Sequence, residues 1–307
     1  MAISNTHAAD TCDVAVVGGG PAGLTAATYL CRFLRDCLVI DAGNSRAKWI
    51  PQSNNCPGFP SGVPGPDLLR RMREQALGCG ARFVAAEVEG IEAPAAPDGM
   101  FVLSSGRRRW QARCVILATG IVDKLPGAPW VGDAIACGAI RLCAVCDAFE
   151  ARDSCIGVYG PARDIGAHGL FLRAYSDRVY LLPSDAADGG EDMRRAVAAG
   201  VRVLAPGVAL EFDGRRCHST SADGTRVAFD ALYPFLGGRT AAQLAAAAGA
   251  PLSDEGEIIV DPHQMTAQPG LYAIGDVVSG LNQIAVAVGH AAIAATRINA
   301  VLPMAPR

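Results

Sequence analysis

Nowhere in these 307 residues is there a run of 18 uninterrupted apolar residues, so no segment reads as a membrane span. Basic clusters are as scarce. The longest is Arg107-Arg108-Arg109, and the formal charge is −3, which leaves no electrostatic footprint for nucleic acid. The opening MAISNTHAAD has neither the charged nor the apolar part of a secretory leader, and the expected location is the cytosol. No block is polar enough to be disordered. Half of the residues are apolar, with 35 glycines and 19 prolines spread along the length. That is a compact chain with many turns and enough apolar matter for two domains.

Cysteine is not scarce. Eleven are present, an odd number, and in a reducing compartment they argue against a structural disulfide framework. Cys12, Cys31, Cys37, Cys114 and Cys155 fall inside apolar strand or helix patterns, where free cysteine packs as a small hydrophobe.

Asp13 to Val17 is a short apolar run followed at once by Gly18-Gly19-Gly20-Pro21-Ala22-Gly23 and a helical pattern to about Leu34. This is strand, glycine turn, helix. Gly18 allows the turn, Gly20 lets backbone approach a pyrophosphate, and Gly23 lets helix and strand pack closely. The helix start supplies free amides for phosphate. A second strand, Cys37 to Ile40, ends in Asp41, 18 residues beyond Gly23, where an acid can accept hydrogen bonds from a ribose. Two distant segments extend the pattern. Val115-Ile116-Leu117-Ala118-Thr119-Gly120 reads as a buried strand leaving the domain, and Leu271-Tyr272-Ala273-Ile274-Gly275-Asp276 as another strand with an acid at its end. These resemble the A-T-G and G-D motifs of flavoproteins with two dinucleotide-binding domains. The resemblance implies FAD, with Asp276 on its ribitol chain and a helix from about Asn282 aimed at the flavin.

Between these segments lies Cys143-Ala144-Val145-Cys146-Asp147. A C-x-x-C pair can bind metal, form a redox disulfide, or do neither. No second pair or nearby histidines follow at ligand spacing, so no metal is expected, and in a dinucleotide-binding chain the spacing favours a reversible disulfide. The order of FAD motif, C-x-x-C-D and G-D resembles the low-molecular-weight thioredoxin reductases over nearly all of residues 11 to 302. That likeness implies that Cys146 faces the flavin, Cys143 exchanges with substrate, and Asp147 handles protons. Asn55-Cys56-Pro57-Gly58 matches the family's N-aromatic-P-G loop, with cysteine for the aromatic. The implied FAD contacts are Gly18, Gly20, Pro21, Ala22, Gly23, Asp41, Ala42, Arg46, Asn55, Ala118, Thr119, Gly120, Gly275, Asp276, Gln283 and Ile284. A homodimer is implied on the same ground.

The second nucleotide motif departs from that family. It should lie at Gly160-Pro161-Ala162-Arg163-Asp164-Ile165, where only Gly160 survives. Ala162 stands where pyrophosphate should meet backbone, and Ile165 where a tiny residue is needed. After the strand Arg178 to Leu182, Pro183-Ser184-Asp185 replaces the H-R-R cluster that grips the 2′-phosphate of NADPH. Each lost phosphate contact is worth ~1.5–3 kcal/mol, so tight NADPH binding is not expected; Arg194 and Arg195 on the following helix are the available substitutes. A flavin enzyme that keeps its dithiol and loses NADPH can hand electrons to molecular oxygen, and its net direction becomes oxidation of a dithiol.

That combination resembles the natural-product dithiol oxidases that close disulfides in gliotoxin, holomycin and romidepsin, the bacterial romidepsin type in particular. Asp41-Ala42-Gly43-Asn44-Ser45-Arg46 and Gly289-His290 share the likeness. His290, on the last helix, is then a candidate base for a substrate thiol, although a histidine on an alanine-rich helix is more often a satisfied core residue.

The expected fold is α/β with two Rossmann-like domains. Residues 1–121 and 241–307 would form the FAD domain, and 122–240 an inserted degenerate NADPH-type domain carrying the C-x-x-C. Gly237-Gly238-Arg239-Thr240 resembles the family's return hinge without its proline, and Ala241 to Ala250 is expected to be a packing helix. Three functions stand. One is a dithiol oxidase for a small peptide or metabolite dithiol, using oxygen. Another is a thioredoxin reductase fed by NADPH or another donor such as ferredoxin. The third is a non-catalytic flavin protein.

Overall fold

A computed structural model describes residues 10–96, 98–221, 224–278 and 280–304; residues 1–9, on which most of the leader reading rests, lie outside them. Its compact units are Met1–Lys48 with Pro66–Val122 and Arg239–Arg307, and Trp49–Gly65 with Asp123–Gly238. The segment 49–65, which carries Asn55 and Cys56, therefore groups with the second unit rather than with residues 1–121. It has little regular structure, and its internal bonds tie it to itself, with Ser53 and Val63 exchanging backbone hydrogen bonds at 2.8 and 3.0 Å.

The chain opens with β1 (Asp10–Val17), α1 (Pro21–Arg32) and β2 (Cys37–Asp41), then α2 (Gly65–Gly78), β3 (Arg82–Ala85), β4 (Gly90–Glu92), β5 (Phe101–Ser105) and β6 (Arg108–Leu117). It leaves through β7 (Ile121–Asp123) and enters the second unit with α3 (Val131–Ala136), α4 (Ala144–Asp147), β8 (Ile156–Gly160), α5 (Ala162–Arg173), β9 (Val179–Pro183), α6 (Gly190–Ala198) and β10 (Arg202–Val203). A small sheet, β11 (Ala209–Phe212), β12 (Cys217–Thr220) and β13 (Arg226–Phe229), precedes β14 (Ala231–Pro234). The return runs through β15 (Gly238–Thr240), α7 (Gln243–Ala247), β16 (Leu271–Ala273) and α8 (Ile284–Val301).

The first unit is a seven-stranded sheet in the order β3-β2-β1-β6-β5-β4, with β16 beside the last residues of β6. β3, β2, β1, β6 and β16 are parallel. A parallel strand covered on both faces needs a continuous apolar run, and Val14 to Val17 supply it, at 5 % exposure or less. On one face α1 and α8 pack together. Their approach is close because α8 turns Ala287, Ala291, Ala294 and Ala295 inward, side chains that repeat at helical spacing and take little room. Among the described residues α8 is the one helix long and apolar enough to cross a membrane by length and composition.

The second unit repeats the theme with a parallel sheet in the order β10-β9-β8-β14, covered by the helix pair α5 and α6. Both units thus have strand-helix-strand cores of Rossmann type. The linkers β7 and β15 pair as a two-stranded ribbon. The hinge residues 238–240 are therefore extended strand, entered through Gly237 at a φ of +77°, a value glycine adopts without steric cost. The alanine-rich helix is shorter than expected, because Gly249 at φ +81° turns the chain out of it.

Candidate active site

The glycine turn between β1 and α1 is built as its sequence requires. Gly18 has φ +111°, and a Cβ on it would stand 2.3 Å from the Ala118 carbonyl oxygen. A Cβ on Gly23 would stand 2.0 Å from the Gly18 carbonyl oxygen, so α1 and β1 can meet only through glycine. Gly20 differs. Its Cβ would make one tight contact, with Ser45 Oγ at 3.2 Å, so a small shift of the serine side chain opens space there. That space lies beside the start of α1, opened by Pro21 and Ala22, where a helix favours an anion.

Four of the sequence motifs converge on this turn. Asp41 ends β2 and accepts hydrogen bonds from the amides of Gly19 at 3.1 Å and Gly43 at 2.9 Å. Ala42 is exposed beside it, and Arg46 opens a short 3-10 turn, Arg46–Trp49. Ala118-Thr119-Gly120 follows β6 against Gly18; Thr119 Oγ1 donates to the Ala241 carbonyl at 2.6 Å. Gly275 and Asp276 open the 3-10 turn Gly275–Val277, and a Cβ on Gly275 would lie 3.0 Å from that of Ala22 and 3.8 Å from that of Ala287. Gln283 caps α8 and Ile284 begins it. These residues form a glycine-lined cradle with an acid at each end, which fits an extended dinucleotide such as FAD. Asn55 belongs to the other unit, where its amide oxygen accepts from Ser53 Oγ at 3.3 Å. Cys56 is half-buried, and burial raises its thiol pKa.

His290 is held in place by this cradle. Its Nδ1 accepts the Gly275 amide at 3.3 Å, and burial lowers its pKa, favouring the neutral ring. With Nδ1 accepting, a neutral imidazole carries its hydrogen on Nε2. The ring therefore presents a donor, and to act as a base it would first have to give up Gly275. This matches the alternative of a satisfied histidine more than that of a thiol base.

In the second unit Cys143 and Cys146 form a disulfide with Cα atoms 5.3 Å apart. Cys143 is extended at the start of the single turn α4, and the Cys146 amide donates to its carbonyl at 3.1 Å. Val145 between them and Phe149 just after are exposed at 60 % and 63 %, apolar surface close to the cysteines in the chain. Asp147 ends the turn. Its Oδ1 accepts from the Tyr233 hydroxyl on β14 at 2.8 Å, and Arg141 Nη1 lies 3.9 Å from Oδ2 while donating to the Asp147 carbonyl at 3.0 Å. Burial raises the Asp147 pKa, opposed by the Tyr233 hydrogen bond and the Arg141 charge. Nothing in the local sequence around Tyr233 or Arg141 marks either as a partner of Asp147. Tyr233 is 86 residues from Asp147, a partnership that sheet pairing creates and no local spacing encodes.

The degenerate motif is closed by the chain itself. Gly160 abuts the Phe235 carbonyl oxygen, 2.3 Å from where a Cβ would be, and Ile165 is fully buried beneath it. Pro161 has no amide to offer, and the amide of Ala162 donates to Asp185 Oδ1 at 3.3 Å, which also accepts from Ala187 at 3.1 Å. His168 on α5 stacks flat on Phe235, ring centroids 3.4 Å apart. Arg194 and Arg195, the available cations, pair with Glu191 at 3.0 Å and Asp192 at 3.1 Å on their own helix.

Of the remaining cysteines, Cys12, Cys31, Cys37, Cys114 and Cys217 are buried, whereas Cys155 is only half-buried and Cys137 is exposed. Burial raises the pKa of Cys114 to about 11 and that of Cys12 to about 12, as expected of inert core thiols.

The pyridine nucleotide-disulphide oxidoreductase family model matches residues 12–291. Thioredoxin reductases of Treponema pallidum (strain Nichols) and Listeria monocytogenes are each 28% identical to the chain; the first match covers 92% of this chain and 94% of that protein, the second 92% and 91%. Among solved structures, HlmI superposes with a TM-score of 0.87 at 28% identity, over 94% of this chain and 92% of HlmI. A thioredoxin reductase of Streptococcus pyogenes MGAS5005 gives 0.85 at 25% identity, over 95% and 98%. The non-catalytic reading is thereby set aside. A glycine cradle fitted to FAD, a C-x-x-C disulfide with a neighbouring acid, and a family match over most of the length lead to one assignment: the chain belongs to the pyridine nucleotide-disulphide oxidoreductases, as an FAD-dependent, thioredoxin reductase-like thiol/disulfide oxidoreductase.

Proposed function

We propose that this protein is a dithiol oxidase that closes a disulfide within a small peptide or natural product, with molecular oxygen as final acceptor and without NADPH. The observation that carries the reading is the closed second nucleotide site. There Asp185 holds the α5 amide that a pyrophosphate would need, Ile165 fills the space of a small residue, and Arg194 and Arg195 pair with acids on their own helix. An anionic carboxylate at that amide repels a phosphate as well as displacing it.

Meanwhile the thiol chemistry is intact. One substrate sulfur attacks Cys143, breaking its bond to Cys146. The second substrate sulfur then displaces Cys143, closing the substrate disulfide and leaving the enzyme pair as a dithiol with two electrons gained. Bound FAD would take those two electrons from the pair and deliver them to oxygen, giving hydrogen peroxide. In sum, a dithiol and oxygen become a disulfide and peroxide. Exposed Val145 and Phe149, close to the cysteines in the chain, suit an apolar substrate, and the likeness to HlmI supports the same branch. By family resemblance the working unit is a homodimer. The cytosol suits a chain with nine free cysteines among its described residues.

An oxygen electrode with a peroxide assay tests this. With dithiothreitol as substrate and no pyridine nucleotide, the expected result is one peroxide formed per dithiol oxidised. The second reading, a reductase for thioredoxin drawing on NADPH or a donor such as ferredoxin, is favoured by the named relatives. It requires instead that oxidised thioredoxin turn over with that donor and that dithiol alone consume no oxygen.

A further inference from the structure

Asp147 directly follows the second cysteine of the disulfide; burial has the largest effect on it and raises its pKa, two neighbours oppose that and a third reinforces it. Tyr233, fully buried on β14, donates its hydroxyl to Oδ1 at 2.8 Å. Arg141, on the segment before the disulfide, places Nη1 3.9 Å from Oδ2. Glu150, one turn on, acts against them as a like charge. A donor hydroxyl and a guanidinium both favour the ionised carboxylate, and burial opposes it.

We propose that Tyr233 and Arg141 are positioning residues that hold Asp147 ionised, so that it accepts the proton released when a substrate thiol attacks Cys143. The inference rests on the dithiol-oxidase reading of the same site. In the oxidising direction the incoming thiol loses its proton as its sulfur bonds to Cys143 and the Cys143–Cys146 bond breaks. That proton goes to Asp147 and then to the Cys146 sulfur. The second substrate thiol passes its proton to Cys143 as Cys143 leaves, so the two electrons and two protons lost by the substrate are all found on the enzyme pair.

Tyr233→Phe tests the clamp while keeping the ring in its buried slot. The readout is the anaerobic rate of flavin bleaching by dithiothreitol as a function of pH. The acidic limb is expected to move to higher pH, with the loss at low pH roughly tenfold greater than at high pH, since one hydrogen bond to the ionised form is gone. Arg141→Gln should move the limb the same way. An unmoved limb, or an equal loss at every pH, overturns the proposal, because a merely structural role lowers the whole profile. Isotope-edited infrared spectroscopy of the Asp147 carboxyl gives a second readout, independent of turnover. Its protonation should occur at higher pH in Tyr233→Phe than in the native protein, and an unchanged midpoint overturns the clamp. If dithiols fail to bleach the native flavin at any pH, the oxidase reading falls, while the infrared comparison still judges the clamp by itself.

Discussion

The amide of Ala162 donates to the carboxylate of Asp185 at 3.3 Å, and with this contact the second unit occupies its own phosphate position. The first unit uses the same device differently. There Asp41 accepts from Gly19 and Gly43, just as Asp185 accepts from Ala162 and Ala187. In the first turn, however, the acid sits on the amide of the middle glycine, and the space beside Gly20 and the start of α1 remains. In the second, proline removes that middle amide, and the acid takes the first amide of α5. Two copies of one fold thus differ in whether the helix start is left for a ligand.

Closure shared among several residues has a consequence for Asp185. Asp185→Ala should lower stability by about 1 kcal/mol, the usual worth of a carboxylate on helix-start amides, read as a lower urea midpoint. It should not by itself confer flavin reduction by NADPH, because Ile165 and the missing cations persist. Rapid NADPH bleaching in this variant would show that Asp185 alone was the barrier.

Two glycines of the first turn should behave in opposite ways. At Gly23 a methyl would lie 2.0 Å from the Gly18 carbonyl oxygen, so Gly23→Ala should disrupt the fold itself. At Gly20 a methyl would press only on Ser45 Oγ, which a small side-chain shift relieves, so Gly20→Ala should fold with near-native circular dichroism and carry little flavin, judged by visible absorbance relative to protein. Equal flavin content in Gly20→Ala and native protein would remove Gly20 from the pyrophosphate cradle.

His290 is expected to act through structure. His290→Ala leaves the buried Gly275 amide without its acceptor, at a cost of about 1–3 kcal/mol, and should weaken flavin retention while leaving the shape of the pH–rate profile unchanged. Stability should respond to pH as well. Burial lowers the pKa of His290 and of His168 below the ordinary 6.5. The unfolded chain therefore takes up protons first, and the stability held above 6.5 is lost as the pH falls toward the folded values. Urea midpoints between about pH 8 and about pH 5 would follow this, with a smaller decline in His290→Ala. Loss of the rate profile's acidic limb in that variant, at native stability, would instead make His290 the thiol base.

Much of this was legible in the chain because it is local. The glycine turn, Asp41, the A-T-G strand and the C-x-x-C each declare themselves within a dozen residues, where strand, turn and helix impose fixed residue types. Gly160-Pro161-Ala162 announced a damaged site for the same reason. What could not be read was tertiary. Tyr233 reaches Asp147 only because β14 lies beside β8 in the second sheet. Phe235 meets His168 through the same pairing, and His290 meets Gly275 because α8 packs against the turn Gly275–Val277. The grouping of 49–65 with the second unit was equally hidden, since that segment has no periodic pattern to assign it. Arg194 and Arg195 looked like spare cations until their acids, three residues away on one helix, appeared as partners.

The central claim is that electrons enter from a dithiol and not from a pyridine nucleotide. Anaerobic flavin absorbance, followed on separate mixing with dithiothreitol, NADPH and NADH, tests it most directly. The expected result is bleaching by the dithiol alone, with colour restored when air is admitted; rapid bleaching by NADPH would contradict it.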